Sequence, residues 1–334
     1  MGQDLIEPTE HGLYCAAGDF YIDPWRPVER AVVTHAHADH ARPGSHRYYA
    51  APSSIPLLKK RLGADTRIEP LHWQHRYRFG DCEVSLHPAG HILGSAQVRV
   101  GDGHRVWVAS GDFKRGDDPS CEPFEVVPCD TFISEATFAL PAYRWPAPGD
   151  TAQAIHDWWQ TNAAEGRASV LFTYALGKAQ RILAALRWLT PDTVYLHGAA
   201  VPLTRIYRQA GIAMAPTAPV SERDSSDGFA GELVIAPPSA HGSQWMRRFR
   251  RPSTAFASGW MRIRGNRRRR GFDRGFVLSD HADWPDLLRT FAETGAQRIL
   301  TTHGRADELV AYLREQGYRA SPLATAYSET GEAD

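Results

Sequence analysis

The sequence predicts a mixed α/β protein, and two patterns carry that expectation. Short apolar, β-branched runs alternate with glycine-rich turns through the first third of the chain, as at Ala31–Val33, Val84–His87 and Ala96–Val100, which is how strands bounded by turns read. From Asp150 onward helical and extended stretches take turns: Thr151–Ala164 helical, Val170–Thr173 extended, Lys178–Leu189 amphipathic, Thr193–Leu196 extended. Such alternation predicts parallel strands packed against helices. A chain of 334 residues accommodates two domains, or one large layered domain with an insertion.

Taken in order, Leu13–Tyr14 and Phe20–Ile22 read as short strands, the second delivering Asp23 to a turn at Pro24. Arg30–Thr34 reads as a buried strand that stops where a run of histidines begins, and Pro52–Leu62 reads as helix. Strands at Val84–His87, Ala96–Val100 and Arg105–Ala109 are punctuated twice by polar loops. The first is Pro88-Ala89-Gly90-His91-Ile92-Leu93-Gly94-Ser95, and the second is Ser110-Gly111-Asp112. Near the end, Phe276–Ser279 and Arg298–Thr302 read as strands around a helix starting near Trp284, and each delivers a histidine, His281 and His303.

Composition excludes several classes. Hydrophobic content of 43% with 23% charged residues is that of a globular protein, and no apolar run reaches bilayer length. The polar start, Met1 to Gly12, lacks a secretion pattern, so a cytoplasmic protein without a membrane partner is expected. Cys15, Cys82, Cys121 and Cys129 form no Cys-x-x-Cys pair and read as reduced structural thiols. Basic and acidic residues balance at 38 each, yet between Arg247 and Arg274 eleven arginines face one acid, Asp273. Such a stretch attracts phosphates, the alternative being a solvated loop.

The strongest chemical signal is His35-Ala36-His37-Ala38-Asp39-His40, four potential metal ligands in six residues directly after a strand. His35 and His37 share one face of an extended segment, while Asp39 and His40 lie past the turn and can reach a second ion. A two-metal hydrolytic site also needs a further imidazole and a carboxylate able to bridge both ions. His91 and Asp112 supply those parts. Alone, His91 could equally be structural and Asp112 a cap; their order after the cluster is what counts.

With Asp23, the His35–His40 cluster, His91 and Asp112 in this order, the chain resembles the metallo-β-lactamase superfamily. Ser134-Glu135-Ala136-Thr137, Ser279-Asp280-His281-Ala282-Asp283 and Thr302-His303-Gly304 resemble motifs of its β-CASP branch, whose members are nucleases. Phe172 to Gln180 is similar to that branch's strand-to-helix segment. Nearly the whole chain is similar to the bacterial ligase-associated DNA exonucleases.

The resemblance implies a four-layer αββα metallo-β-lactamase fold with an inserted α/β β-CASP domain: residues 1–150 and 273–334 in the first, 151–272 in the second. It implies two divalent metal ions, zinc or else manganese or iron, one held by His35, His37 and His91 and the other by Asp39, His40 and His303, with Asp112 bridging. Asp23 would orient the ligands, His281 would protonate the leaving 3'-oxygen, and Glu135 would set its tautomer. The activity implied is hydrolysis of DNA ends, single-stranded ones included, by a two-metal-activated hydroxide, in DNA repair alongside an ATP-dependent DNA ligase and a helicase. An RNA-processing nuclease resembling ribonuclease J or the mRNA 3'-end-processing enzymes is the same-fold alternative, and a noncatalytic DNA-binding scaffold the alternative of another class. For the substrate backbone, Arg262, Arg264, Arg267, Arg268, Arg269 and Arg270 read as guides, and Lys178, Gly177 and Ser279 as a phosphate pocket at a helix start.

Overall fold

The computed structural model describes residues 4–224, 226–263, 271–302, 304 and 306–325. It is mixed α/β and divides into two compact units, the first comprising Met1–Gly116, Cys121–Tyr143 and His281–Asp334, the second Asp117–Ser120 and Arg144–Asp280. Among the described residues no helix is long and apolar enough to cross a membrane.

Unit 1 contains two sheets. The first has six strands in chain order: β1 (Glu7–Pro8), β2 (Leu13–Cys15), β3 (Phe20–Ile22), β4 (Arg30–Val32), β5 (Arg47–Ala50) and β6 (Ile68–Pro70). The second has seven, built from β7 (Tyr77–Phe79), β8 (Cys82–Pro88), β9 (Ala96–Gly101), β10 (Val106–Ala109) and β11 (Thr131–Glu135), with β18 (Arg298–Thr302) and β19 (Arg319–Pro322) added beyond β11. Strand alternation decides what each face buries. Trp107, Ala109, Ile133 and Leu300 point into a core shared with Leu13, Phe20, Ile22 and Val32 of the first sheet, so the two sheets face one another. Their neighbours Val108, Phe132 and Ile299 point the other way, onto helices α5 (Trp284–Thr294) and α6 (Ala306–Glu315).

In both sheets the later strands run parallel: β3 to β6 in the first, and β10, β11, β18 and β19 in the second. Parallel strands present their carboxyl ends along one edge, the usual place for a site in such sheets. Asp23 follows β3, Thr34 to His40 follow β4, Asp112 follows β10, and Glu135 closes β11 in register with Thr302.

Unit 2 holds α2 (Pro148–Ala164), α3 (Lys178–Leu186) and α4 (Ala200–Gln209) with a wholly parallel sheet. Its strands are β12 (Ser169–Phe172), β13 (Val194–Leu196), β14 (Thr217–Pro219), β15 (Leu233–Ala236), β16 (Ser253–Ala257) and β17 (Arg274–Phe276), in the order β14-β13-β15-β12-β16-β17. The central β12 and β15 are buried at every position, as parallel strands covered on both faces must be.

Four sequence-based boundaries are corrected. The strand expected over Arg30–Thr34 ends at Val32, because the Thr34 amide donates to Asp23 Oδ1 (2.7 Å) instead of continuing a ladder. The helix expected over Pro52–Leu62 is a 3-10 turn (Pro52–Ser54) followed by α1 (Ile55–Leu62), with prolines opening both. Helix α3 stops at Leu186 rather than Leu189: the Leu189 and Thr190 amides both fold back onto the Leu186 carbonyl, and Pro191 follows, which disfavours helical backbone in the residue before it. The strand expected over Phe276–Ser279 is β17, which ends at Phe276 and leaves Ser279 beyond it.

Candidate metal centre

Unit 1 gathers the described ligands His35, His37, Asp39, His40, His91 and Asp112 in the loops that follow its strands. His35 Nε2 and His91 Nε2 each lie 3.1 Å from His37 Nδ1. Asp112 Oδ2 lies 3.5 Å from His35 Nε2 and 3.7 Å from His91 Nε2. Donors around a tetrahedral ion at about 2.0–2.1 Å stand about 3.3–3.4 Å apart, so these four separations are close to those of one coordination shell, and all four donor atoms lie within 4.8 Å of one another. The other oxygen of Asp112, Oδ1, is 3.6 Å from His40 Nε2, which is 3.7 Å from Asp39 Oδ2. One carboxylate therefore faces two donor groups, one on each oxygen.

The donor chemistry fits a cation. Asp39 Oδ2 and both oxygens of Asp112 are buried without a hydrogen-bond partner among the described residues, an arrangement that costs free energy unless a positive charge sits between them. His303 lies outside the described residues, so its expected place in the second group is not described. Within unit 1, His35, His37, His91 and Asp112 could hold one ion, and Asp112, Glu135 and His281 form a second group of close donors.

A layer behind the ligands fixes their orientation. Asp23 accepts from the Thr34 amide on Oδ1, and from Thr34 Oγ1 (2.5 Å) and His40 Nδ1 (2.7 Å) on Oδ2. Asp23 itself has φ of 43°, in the left-handed region that aspartate tolerates better than most side chains. Thr34 Oγ1, its proton given to Asp23, accepts from His35 Nδ1 at 3.0 Å, which leaves His35 Nε2 to face the donors. Gly111 makes this approach possible, for a Cβ there would fall 2.8 Å from the Thr34 side chain. Ser95 Oγ accepts the amides of His91 and Ile92 and so pins the His91 loop.

Glu135 and His281 meet as the sequence suggested: His281 Nδ1 is 2.8 Å from Glu135 Oε2. Glu135 also accepts from the Phe113 amide (2.8 Å) and Thr137 Oγ1 (2.6 Å), and His281 Nδ1 is 4.0 Å from Asp112 Oδ2. Sequence reasoning missed Thr34 and Thr137. The signal for Thr34 was its place before the first histidine; Thr137 stood in the quoted Ser134–Thr137 motif without a role.

Electrostatics follow from burial. Desolvation, reinforced by the His40, His91 and His37 imidazoles, pushes His35 well below the usual histidine range and keeps it neutral. For His40 burial acts in the same direction, but Asp112, Asp39 and Asp23 outweigh it and raise it to about 10. Burial, against the pull of His40 and with Glu135 adding to it, raises Asp112 to about 8. Below those values both groups hold protons in the metal-free pocket, and a cation must displace them. Metal uptake at pH 7 is thus expected to release protons and its apparent affinity to rise with pH. Titration calorimetry in buffers of different ionisation enthalpy checks this; a heat independent of buffer would contradict it.

The phosphate-pocket residues lie in unit 2 and are buried. Lys178 Nζ is 2.7 Å from Asp280 Oδ1 and 4.5 Å from the Tyr174 ring, so its ammonium is committed within the protein. Ser279 is buried, its carbonyl accepting from Arg181. Arg262 is exposed at the end of a 3-10 turn (Gly259–Arg262), whereas Arg264 and Arg267 to Arg270 lie outside the described residues.

Fold and site together define a mixed α/β protein with a buried histidine–aspartate centre able to hold divalent metal. No family model matches the chain. It is 37% identical over 313 residues to a protein named "Probable DNA ligase" from Opitutus terrae, covering 93% of this chain and 30% of that protein. It is 32% identical over 229 residues to the "Transcription termination factor FttA" of Methanosarcina mazei, covering 56% of this chain and 36% of that one. The chain therefore spans about a third of the length of these curated relatives. A crystal structure of a protein of unknown function from Enterococcus faecalis shares the fold, with a TM-score of 0.60 at 14% identity over 91% of this chain and 80% of that one.

Proposed function

We propose that this chain is a metal-dependent phosphodiesterase that trims DNA ends, a ligase-associated exonuclease of the β-CASP branch of the metallo-β-lactamase superfamily. The observation that carries the reading is Asp112, a buried carboxylate whose two oxygens address two groups of imidazole and carboxylate donors, with a His281–Glu135 pair beside it. On this reading unit 1 is the four-layer hydrolase frame and unit 2 the inserted β-CASP domain. The likeness to a protein named probable DNA ligase supports a role in nucleic-acid processing.

Divalent ions held by His35, His37 and His91, and by Asp39, His40 and His303, with Asp112 between them, would supply Lewis-acid activation of water and neutralise charge developing on the phosphate. The protein's own residues do the rest. Thr34 and Asp23 hold His35 and His40 in the tautomers that present Nε2. Glu135 takes the Nδ1 proton of His281 in a hydrogen bond and favours the imidazolium, so that His281 can give a proton to the departing 3'-oxygen. Thr34→Val, which keeps the shape and removes the hydroxyl, is expected to weaken metal binding about 10- to 100-fold, as removal of a ligand-orienting partner does; competition against a chelator measures it, and unchanged affinity would deny Thr34 that role.

The arginines between Arg247 and Arg274 guide the nucleic-acid backbone. For every phosphate freed by neutralising Arg262, Arg264 and Arg267 to Arg270, the salt slope of binding should fall by about 0.7 to 0.9. Unchanged affinity and salt dependence would return the stretch to a solvated loop.

End-labelled DNA and RNA strands of one sequence, incubated with the protein under zinc, manganese and iron in turn, test the activity. Release of mononucleotides from DNA alone is the expected result. Release from RNA alone would favour the second reading, an RNA-processing nuclease, which the likeness to a transcription termination factor supports; no release under any metal would overturn the hydrolase.

A further inference from the structure

We propose that Cys15 and Cys82 are a redox modification site, closing into a reversible disulfide that staples the two sheets of unit 1. Cys15 ends β2 in one sheet and Cys82 opens β8 in the other, 67 positions apart, and their sulfurs lie 3.9 Å apart. Closing to the roughly 2.05 Å of an S–S bond asks for a small sulfur displacement, within reach of side-chain rotation when the sulfurs already touch. Both thiols are buried.

Two local features suit the pair to oxidation by a small oxidant. The contact with Cys82 holds the Cys15 thiol below the usual range against its burial, and the backbone at Gly18 and Ala17 acts in the same direction. Cys15 is therefore the sulfur suited to attack. Gly18 forms the cover: a Cβ at that position would fall 2.8 Å from the Cys82 sulfur, so only a hydrogen separates this backbone from the pair. On either side of Gly18 in the turn, Ala16 and Asp19 are exposed.

With hydrogen peroxide as oxidant the chemistry closes. The Cys15 thiolate attacks one peroxide oxygen, the O–O bond breaks, and hydroxide leaves with a proton as water, giving Cys15 sulfenic acid. The Cys82 sulfur then attacks the Cys15 sulfur, loses its thiol proton, and the S–O bond breaks with loss of a second water. Two thiols and one peroxide thus yield one disulfide and two waters. The ring so closed contains Asp23 and the whole His35–His40 loop, so oxidation would stiffen the frame that carries the metal-facing residues.

The test uses the full chain with Cys121→Ser and Cys129→Ser, which removes the other two thiols. Brief treatment with stoichiometric hydrogen peroxide, then alkylation under denaturing conditions and peptide mapping, should yield a Cys15–Cys82 cross-linked peptide lacking two hydrogens. The midpoint of thermal unfolding should rise by roughly 5–15 °C, as expected for a disulfide closing a long loop, and fall back with dithiothreitol. In Cys82→Ser, Cys15 should instead be trapped as a sulfenic acid by dimedone. If both cysteines remain fully alkylated after peroxide and Cys82→Ser gives no dimedone adduct, the proposal fails; a cross-link that leaves the unfolding midpoint unchanged would overturn the stapling.

Discussion

Asp112→Asn should lower turnover on the order of 10³-fold or more and leave the centre depleted of metal, while the fold survives. The variant keeps the volume of the side chain and removes its charge, so it separates electrostatics from packing. Asp112 is buried, addresses His35 and His91 through one oxygen and His40 through the other, and has no hydrogen-bond partner among the described residues for either. Burial works against this carboxylate in the metal-free protein, raising it to about 8, so its charge costs stability there. The metal-free variant should consequently unfold no earlier than the metal-free parent. Elemental analysis of purified protein, beside turnover on end-labelled DNA, checks the expectation. Full metal content with unimpaired turnover in Asp112→Asn would remove Asp112 from the centre.

The second large effect separates two histidines that resemble each other in sequence. His281→Ala should keep its metal and bind DNA nearly normally, yet lose roughly 10²- to 10⁴-fold in turnover, the usual contribution of a positioned proton donor. The ground is its 2.8 Å hydrogen bond to Glu135, a carboxylate that two further donors, the Phe113 amide and Thr137 Oγ1, hold in place. His303→Ala should fail otherwise, losing metal together with activity. A substrate whose 3'-bridging oxygen is sulfur departs without protonation, so it should restore much of the His281→Ala rate and little of the His303→Ala rate. Loss of an ion from His281→Ala, or no rescue by sulfur, would reassign His281.

Most of the centre was legible because its residues are contiguous or follow recognisable strands. His35 to His40 announce themselves by composition, and Asp112 by its place after a β-branched run. Thr34 was not legible as a hub, since its role depends on Asp23 reaching across from β3 to accept both its amide and its hydroxyl. The same hydrogen bonds shortened β4, a boundary that periodicity alone sets too late. The partner of Lys178 was not legible either: a lysine at a helix start reads as an anion site, and only the fold brings Asp280, far along the chain yet in the same unit, within 2.7 Å of it. The pairing order of the sheets was equally hidden, because parallel neighbours such as β10 and β11 are joined only by long-range pairing that no local pattern encodes.

The pairing of β11 with β18 also sets a schedule for synthesis. Thr302 donates to the Ser134 carbonyl 168 positions earlier, so the strand that closes this edge leaves the ribosome long after its partner. At about 5–20 residues per second the delay is roughly 10–30 s. Throughout it β11, buried at every position in the finished protein, presents an open hydrogen-bonding edge and an uncovered apolar face. The nascent chain must therefore shelter that strand while Arg144–Asp280 of unit 2 is made, and a chaperone that holds extended apolar segments would find one there.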